Sequence, residues 1–349
     1  MTRPVSKRIR LVVAGCGRVT EQHHLPVALR SSLVDVIALV DPHSARLRSL
    51  ARKYALQVPL KTRLEDALDG ADGLLLATPN YTHAPLAMTA IARKIPVLIE
   101  KPLTTSYAEA QELCRLADEE GTFISVGFRT RYYPSVVLMK DLIDQNAFGR
   151  IRSFHYEFGS RGGWAPLSGF NLDKKQAGGG ILIDTGSHFV DRMLYWLGAP
   201  SEFEYEDDSY GGPEGNCRCH LRFEHSLGPI EGTIVLSNTM ALQNGVSIST
   251  DDYVCELGES ETELITLYPR STPGVTMTMA KDARAPRSRP DYFQVQIEDF
   301  ARAILEGASP RVDGWSGARS VKLIEQMYAR RRQMDEPWLL HGRELEIAG

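Results

Sequence analysis

A strand, a glycine turn, a helix, a second strand and an acid, in that order within the first 41 residues, leave this chain few folds to choose from. Leu11–Val12–Val13–Ala14, entered from Arg10, is an apolar run of the length of a buried strand. Gly15–Cys16–Gly17–Arg18–Val19–Thr20 follows, and a helical stretch then runs to about Leu29. Glycines at such a turn let the main chain approach a pyrophosphate, which amides at the helix N-terminus hold. Val36–Ile37–Ala38–Leu39–Val40 is a second apolar run ending at Asp41. That places a carboxylate about twenty residues past the turn, where it accepts hydrogen bonds from an adenosine ribose. G-x-G-x-x-T alone is a weak signal, because Thr20 stands where the third glycine of the fingerprint falls. Order and spacing together identify a Rossmann dinucleotide-binding unit.

The alternation continues. Ser44 to Tyr54 reads as helical, Leu64 to Leu68 as a short helix, and Gly73 to Ala77 as another buried strand. A turn-rich loop follows, Thr78–Pro79–Asn80–Tyr81–Thr82–His83, then a helix from Pro85 to Ala92. Pro96–Val97–Leu98–Ile99–Glu100–Lys101–Pro102 is a short strand ending in two opposite charges. Ligands bind at the carboxyl ends of such strands, and desolvation with a neighbouring cation can lower a lysine pKa towards neutrality. The plain alternative for Lys101 is a surface Glu–Lys pair. Tyr107 to Glu119 forms a helix and Phe123 to Val126 the next strand. The whole is a doubly wound parallel sheet in the α/β class.

With 349 residues the chain is long enough for two domains, and the expected division is 1–128 and 129–349. A net charge of −4 with dispersed basic residues argues against nucleic acid, and no apolar run approaches a membrane span. The four apolar residues before Gly15 are too few for the core of a signal peptide. Five scattered cysteines point to a reducing cytoplasm rather than a disulfide framework, and their spacing supports no metal site.

Periodicity changes after Gly149. Ile151 to Phe158 alternates as a strand with one solvated face does. The glycine-rich segment Arg161–Gly162–Gly163–Trp164 follows, either a ligand-contacting loop or a lid hinge. Gly178–Gly179–Gly180 then opens a helix from about Ile181 to Leu197. Its apolar stripe is Leu182, Phe189, Met193 and Trp196; Asp184, His188, Asp191 and Tyr195 form a polar one. Short alternating runs from Glu202 to Met279 read as a mostly antiparallel sheet, making the second half α+β. The acidic run Glu202 to Asp208 is a solvated edge or an attractor for a cationic substrate. Lys281 to Pro290, with three arginines, reads as a loop, and helices follow at about Tyr292–Leu305 and Gly317–Arg332.

Gly15-x-Gly17, Asp41–Pro42, Thr78–Pro79–Asn80 with His83, and Glu100–Lys101–Pro102 come in the order seen in one family. Gly-Gly-Gly-x-x-x-Asp-x-x-x-His at 178–188 is a second, independent motif. The chain thereby resembles the glucose–fructose oxidoreductase and inositol dehydrogenase (Gfo/Idh/MocA) family over nearly its whole length. The resemblance implies that Lys101 sits beside the nicotinamide and the reacting carbon, and that the loop through His83 lines the nicotinamide pocket. It implies that Asp184 and His188 are a catalytic pair, that part of the C-terminal tail packs back on the first domain, and that the sheet pairs subunits into a homodimer or homotetramer. Substrate recognition falls to loops around Arg129, Arg161, Trp164 and Lys174, where the family varies.

The expected function is a nicotinamide-dependent dehydrogenase acting on a secondary alcohol of a sugar, amino sugar or cyclitol. A neutral His188 takes the hydroxyl proton, Lys101 stabilises the developing alkoxide, and Asp184 holds the imidazole or binds an adjacent hydroxyl. The cofactor set is Gly15, Gly17, Arg18, Val19, Asp41, Thr78, Pro79, Asn80, His83, Glu100 and Lys101. Asp41 favours NAD, with His43 and Arg46 close enough to admit NADP. The alternatives are glycoside cleavage through oxidation and elimination, and a cofactor-sensing regulator without catalysis.

Overall fold

The computed structural model describes residues 8–161, 169–258, 264–281 and 291–334. Trp164 and most of the arginine-bearing loop from Lys281 to Pro290 lie outside them.

Six strands make the first sheet: β1 (Ile9–Ala14), β2 (Val34–Val40), β3 (Leu60–Lys61), β4 (Gly73–Leu76), β5 (Val97–Ile99) and β6 (Ile124–Val126). They run in the order β3-β2-β1-β4-β5-β6, every neighbouring pair parallel. Leu74, Leu75, Leu76, Val97 and Ile99 are fully buried, as apolar runs covered on both faces must be. The helix Tyr107–Glu119 starts where the Ser106 hydroxyl accepts the Glu109 amide at 3.3 Å.

The first helix departs from the expected form. It opens as a π-turn, Thr20–His24, before the α-helix Leu25–Arg30. Thr20 is fully buried, and its hydroxyl donates to the Gly15 carbonyl at 2.6 Å. A threonine is thus accommodated where a small residue is usual, by bonding back to the turn it follows.

Nine strands make the second sheet: β7 (Ile151–Gly159), β8 (Glu202–Asp207), β9 (Asn216–Phe223), β10 (Ile230–Ser237), β11 (Gly245–Thr250), β12 (Tyr253–Gly258), β13 (Leu264–Pro269), β14 (Met277–Ala280) and β15 (Arg332–Gln333). The order is β14-β13-β12-β11-β7-β10-β9-β8-β15, antiparallel except for β7 with β10 and β8 with β15. The acidic run is a solvated edge only in its first part, where Glu202 and Glu204 are exposed, and it turns inward at Tyr205 and Asp207. β15 pairs along β8, Arg331 binds Asp207, Arg332 binds Glu204, and the Tyr205 hydroxyl donates to Asp207. Glu204, Glu206 and Asp207 thus have basic partners within the chain, which lessens the motive for a cationic substrate.

The helix expected from Ile181 to Leu197 is in two pieces, Ile181–Asp184 and Gly186–Leu197, and it packs on the second sheet. The tail helix Tyr292–Glu306 returns to the first sheet. Its Ile297, Phe300 and Ala301 join Leu11, Val13, Leu39 and Leu75 in one buried cluster.

Candidate active site

The cofactor cradle is legible from what its glycines exclude. Gly15 has φ +91°, and a Cβ there would stand 2.2 Å from the Ala77 carbonyl oxygen, so only glycine lets β1 turn past β4. At Gly17 a Cβ would meet nothing within 4 Å, and Arg18 and Val19 beside it are half-buried. Open space over a glycine main chain at a helix start is what a pyrophosphate needs, and the residues present fit a dinucleotide. Asp41 is only 4% exposed. One carboxylate oxygen accepts the Cys16 amide at 2.9 Å and the other the His43 amide at 2.8 Å. Each oxygen keeps a second lone pair, so the acid both organises the turn and remains an acceptor. Burial, with the Asp41 charge, pushes the neighbouring Cys16 thiol up to about 12, which keeps it protonated and inert.

The loop after β4 divides its labour in a way sequence did not disclose. Thr78 and Pro79 are half-buried at the strand end, where the Thr78 hydroxyl accepts from Thr82 at 2.7 Å. Asn80 is buried and donates to the Ala177 carbonyl at 2.8 Å, joining this loop to the segment before the three glycines. His83 is fully buried, with Nδ1 2.9 Å from the Pro102 carbonyl and Nε2 2.9 Å from the Thr78 carbonyl. The expectation that His83 contacts the cofactor is corrected accordingly. It braces the Lys101–Pro102 turn, whose peptide is cis, against the loop.

Glu100 and Lys101 leave β5 in opposite directions. Glu100 accepts from the Lys101 amide at 3.1 Å and meets His24 Nε2 at 2.6 Å. Burial raises its carboxyl, but the hydrogen bond from His24 with the charges of His24 and Lys101 outweighs this and leaves it below the ordinary range. His24 went unread in the sequence. Its spacing of four from Thr20 puts both on one buried helical face, and that was the available signal.

Lys101 reaches the second half of the molecule. Its Nζ lies 2.7 Å from Asp184 Oδ1 and 2.9 Å from the Asp184 carbonyl oxygen. The Ser187 hydroxyl donates to that same carbonyl at 2.9 Å. In a regular helix the carbonyl would receive the amide of His188; here that amide reaches back only to Thr185 at 3.3 Å. The ammonium therefore sits at the break between the two helical pieces.

His188 follows on the second piece, half-buried, with its ring edge-to-face on Phe128 at 5.9 Å. Its Nδ1 is buried with no hydrogen-bond partner among the described residues. Burial first, then the charges of Lys101, Arg129 and Arg192, hold its pKa well below the usual 6.5. The imidazole is neutral at pH 7. The Asp184 carboxylate meets Lys101 through Oδ1, and no hydrogen bond among the described residues joins it to the ring. Arg129 donates to the Tyr133 hydroxyl and lies 5.2 Å over the Phe293 ring. Lys174 stands over Tyr328 at 5.6 Å, and Arg161 is exposed just past β7. Asp191 leaves the polar stripe for a buried pair with Arg131. No group of three or more side chains that could hold a metal ion occurs among the described residues.

Two family models match the chain. Residues 9–128 match the NAD-binding Rossmann fold of the Gfo/Idh/MocA oxidoreductase family, and residues 140–337 its C-terminal alpha/beta domain. The rhizopine catabolism protein MocA of Rhizobium meliloti is 30% identical over 87% of this chain and 89% of its own length. A levoglucosan dehydrogenase solved with NADH and L-sorbose superimposes with TM-score 0.82 at 19% identity, covering 93% of this chain and 96% of that one. A 3-ketoreductase from Actinomadura kijaniata, solved with NADP and TDP-benzene, gives TM-score 0.80 at 21% identity, covering 95% and 100%.

Proposed function

The chain belongs to the Gfo/Idh/MocA oxidoreductases, and from that premise we propose that it moves a hydride between a nicotinamide and a secondary alcohol or ketone of a sugar, amino sugar or cyclitol. The observation that carries the reading is the meeting of Lys101, from the parallel sheet, with Asp184 at 2.7 Å, one helical turn before a neutral His188. The bound nicotinamide supplies the hydride acceptor or donor. The Gly15–Val19 turn, Asp41, Thr78 and Pro79 are the residues to hold the dinucleotide.

The chain's own groups handle the proton and the charge. Lys101 polarises the substrate oxygen and stabilises the alkoxide that develops on it. An ammonium carries three donors and Asp184 takes two of them, which leaves a donor for that oxygen. His188 takes the hydroxyl proton, or returns it in the reverse direction. Its suppressed basicity keeps the ring unprotonated and ready at neutral pH. Asp184 holds Lys101 in place and accepts from a neighbouring hydroxyl. A polyhydroxylated ring offers vicinal groups to this set, which a simple alcohol lacks.

The charge of Asp41 repels a 2′-phosphate, so NAD is the preferred cofactor. Pairing of subunits through the second sheet into a homodimer or homotetramer is part of the same proposal, resting on the family resemblance. All five cysteines are unpaired and buried, which supports a reducing compartment.

The test is a panel of myo-inositol, scyllo-inositol, D-glucose, D-glucosamine, UDP-glucose and 2-propanol, each with NAD and with NADP, followed by reduced-nicotinamide absorbance. Turnover of a ring compound above 2-propanol supports the reading. Equal turnover of 2-propanol and the best ring compound overturns it, and a marked preference for NADP overturns the cofactor assignment.

A further inference from the structure

Three consecutive amides begin the helical stretch that carries Asp184 and His188, and all three end on one distant residue. Glu214 lies in the connection between β8 and β9 and is 2% exposed. Its Oε2 accepts the Gly180 amide at 2.9 Å, its main-chain carbonyl the Ile181 amide at 3.0 Å, and its Oε1 the Leu182 amide at 2.9 Å. The Tyr328 hydroxyl donates to Oε1 as well, at 2.7 Å. Helix starts leave such amides orphaned, and a side chain immediately before the helix ordinarily takes one. Gly180 has no side chain to do so.

The three glycines acquire a reason from the same contacts. A Cβ on Gly180 would stand 2.1 Å from the Glu214 carbonyl oxygen, and one on Gly179 2.1 Å from the Tyr328 hydroxyl. The glycines are bare so that Glu214 and Tyr328 can close on the main chain. We propose that Glu214 is a positioning residue for the reaction: by terminating the amides of Gly180, Ile181 and Leu182 it fixes the segment that presents Asp184 to Lys101 and His188 to the substrate. Asp184 is two residues beyond the last of those amides, so movement of the helix start passes directly to the Lys101–Asp184 contact. The inference rests on the functional reading above only for the word reaction; the anchoring itself is independent of it.

Glu214→Gln tests it, because the amide keeps the volume but puts a donor where one of the two oxygens faced a donor. In the full chain with NAD present, deuterium uptake by the peptide covering residues 180–188 should quicken about tenfold or more as its anchors weaken. NAD affinity by calorimetry should stay unchanged. With whichever panel compound is oxidised, kcat should fall about tenfold to a hundredfold at similar KM, as a small misplacement of reacting groups costs. Tyr328→Phe removes one donor only and should shift uptake and kcat in the same direction by less. Unchanged uptake at 180–188 in Glu214→Gln overturns the proposal, and so does a loss of kcat, KM and NAD affinity in step with a global fall in melting temperature. If Glu214→Gln does not fold, Tyr328→Phe decides: unchanged uptake overturns the proposal. Should the wild-type chain oxidise nothing on the panel, the functional reading fails and the uptake measurement still decides the anchoring.

Discussion

Two ion pairs join the first half of the chain to the same helical stretch, and only one of them is closed. Arg131 grips Asp191 through two parallel bonds of 2.6 and 2.9 Å, with side chains 8% and 0% exposed. Lys101 meets Asp184 through one carboxylate oxygen at 2.7 Å, with side chains 16% and 29% exposed. Each pair joins a basic residue to an aspartate later in the chain, 83 residues on in one and 60 in the other. The difference is that the guanidinium fork holds a buried carboxylate through both of its oxygens, whereas the lysine point charge meets Asp184 through one oxygen on side chains that stay partly exposed. Availability, rather than charge, separates the pair proposed to work from the lock.

The largest effect should come beside the open pair. His188→Ala is expected to lower single-turnover hydride transfer with preloaded NAD by about a hundred- to ten-thousandfold, the usual size of a lost acid–base contribution. A near wild-type rate would end the assignment and pass the base role to Lys101. On the closed pair, Asp191→Ala strands the Arg131 charge and should cost about 3–5 kcal/mol in a denaturant melt. Turnover per folded molecule should hardly change, and a specific loss of kcat with intact stability would erase the contrast between the pairs. Asp184→Asn is expected to reduce kcat, by less than His188→Ala does, while costing about 1 kcal/mol or less of stability because the pair is partly exposed. A larger stability loss would make Asp184 a second lock.

The smallest effect is a pH dependence. His188 has a depressed folded pKa, as does buried His83. The unfolded chain therefore takes up these protons first as pH falls, so stability is full above about 6.5 and declines below it towards the folded values. The acid limb of kcat should accordingly lie well below 6.5. An acid limb at or above that value, or a stability that rises on acidification through it, would contradict a ring kept neutral by burial and by the charges of Lys101 and Arg129.

The parallel sheet was legible because its signals are local. Continuous apolar runs, glycine turns and a terminal acid fall within a few residues of one another, and strand positions followed to within a residue or two at each end, except for the two-residue edge strand β3, which went unread. The site was only half legible. Lys101, Asp184 and His188 are indeed brought together, but the partners that define them are remote. Asn80 and His83 stood in a loop whose resemblance implied cofactor contact, yet their atoms meet Ala177 and Pro102. Asp191 was indistinguishable from Asp184 on the helical wheel because its partner lies sixty residues away along the chain. The break after Asp184 has no signature of its own: Thr185 has ordinary helical angles, φ −76° and ψ −42°, and the interruption comes with an ammonium delivered from another sheet. Glu214 was invisible for the same reason, an acid in a connection whose partners are main-chain amides.

The return of Tyr292–Glu306 to the first sheet has a consequence for how the protein is made. On the ribosome the six parallel strands are complete once residue 126 has emerged. Leu25, Val27, Leu47 and Leu50 of the first half's own helices cover part of the face built from Leu11, Val13, Leu39 and Leu75, but the rest waits until Ile297, Phe300 and Ala301 are synthesised. The nascent first half therefore carries an incompletely covered apolar surface while residues 127–297 are made, and a recombinant fragment cut at the expected boundary of 128 would carry it permanently. A fragment that restores the cover has to fuse the helix Tyr292–Glu306 onto that first half.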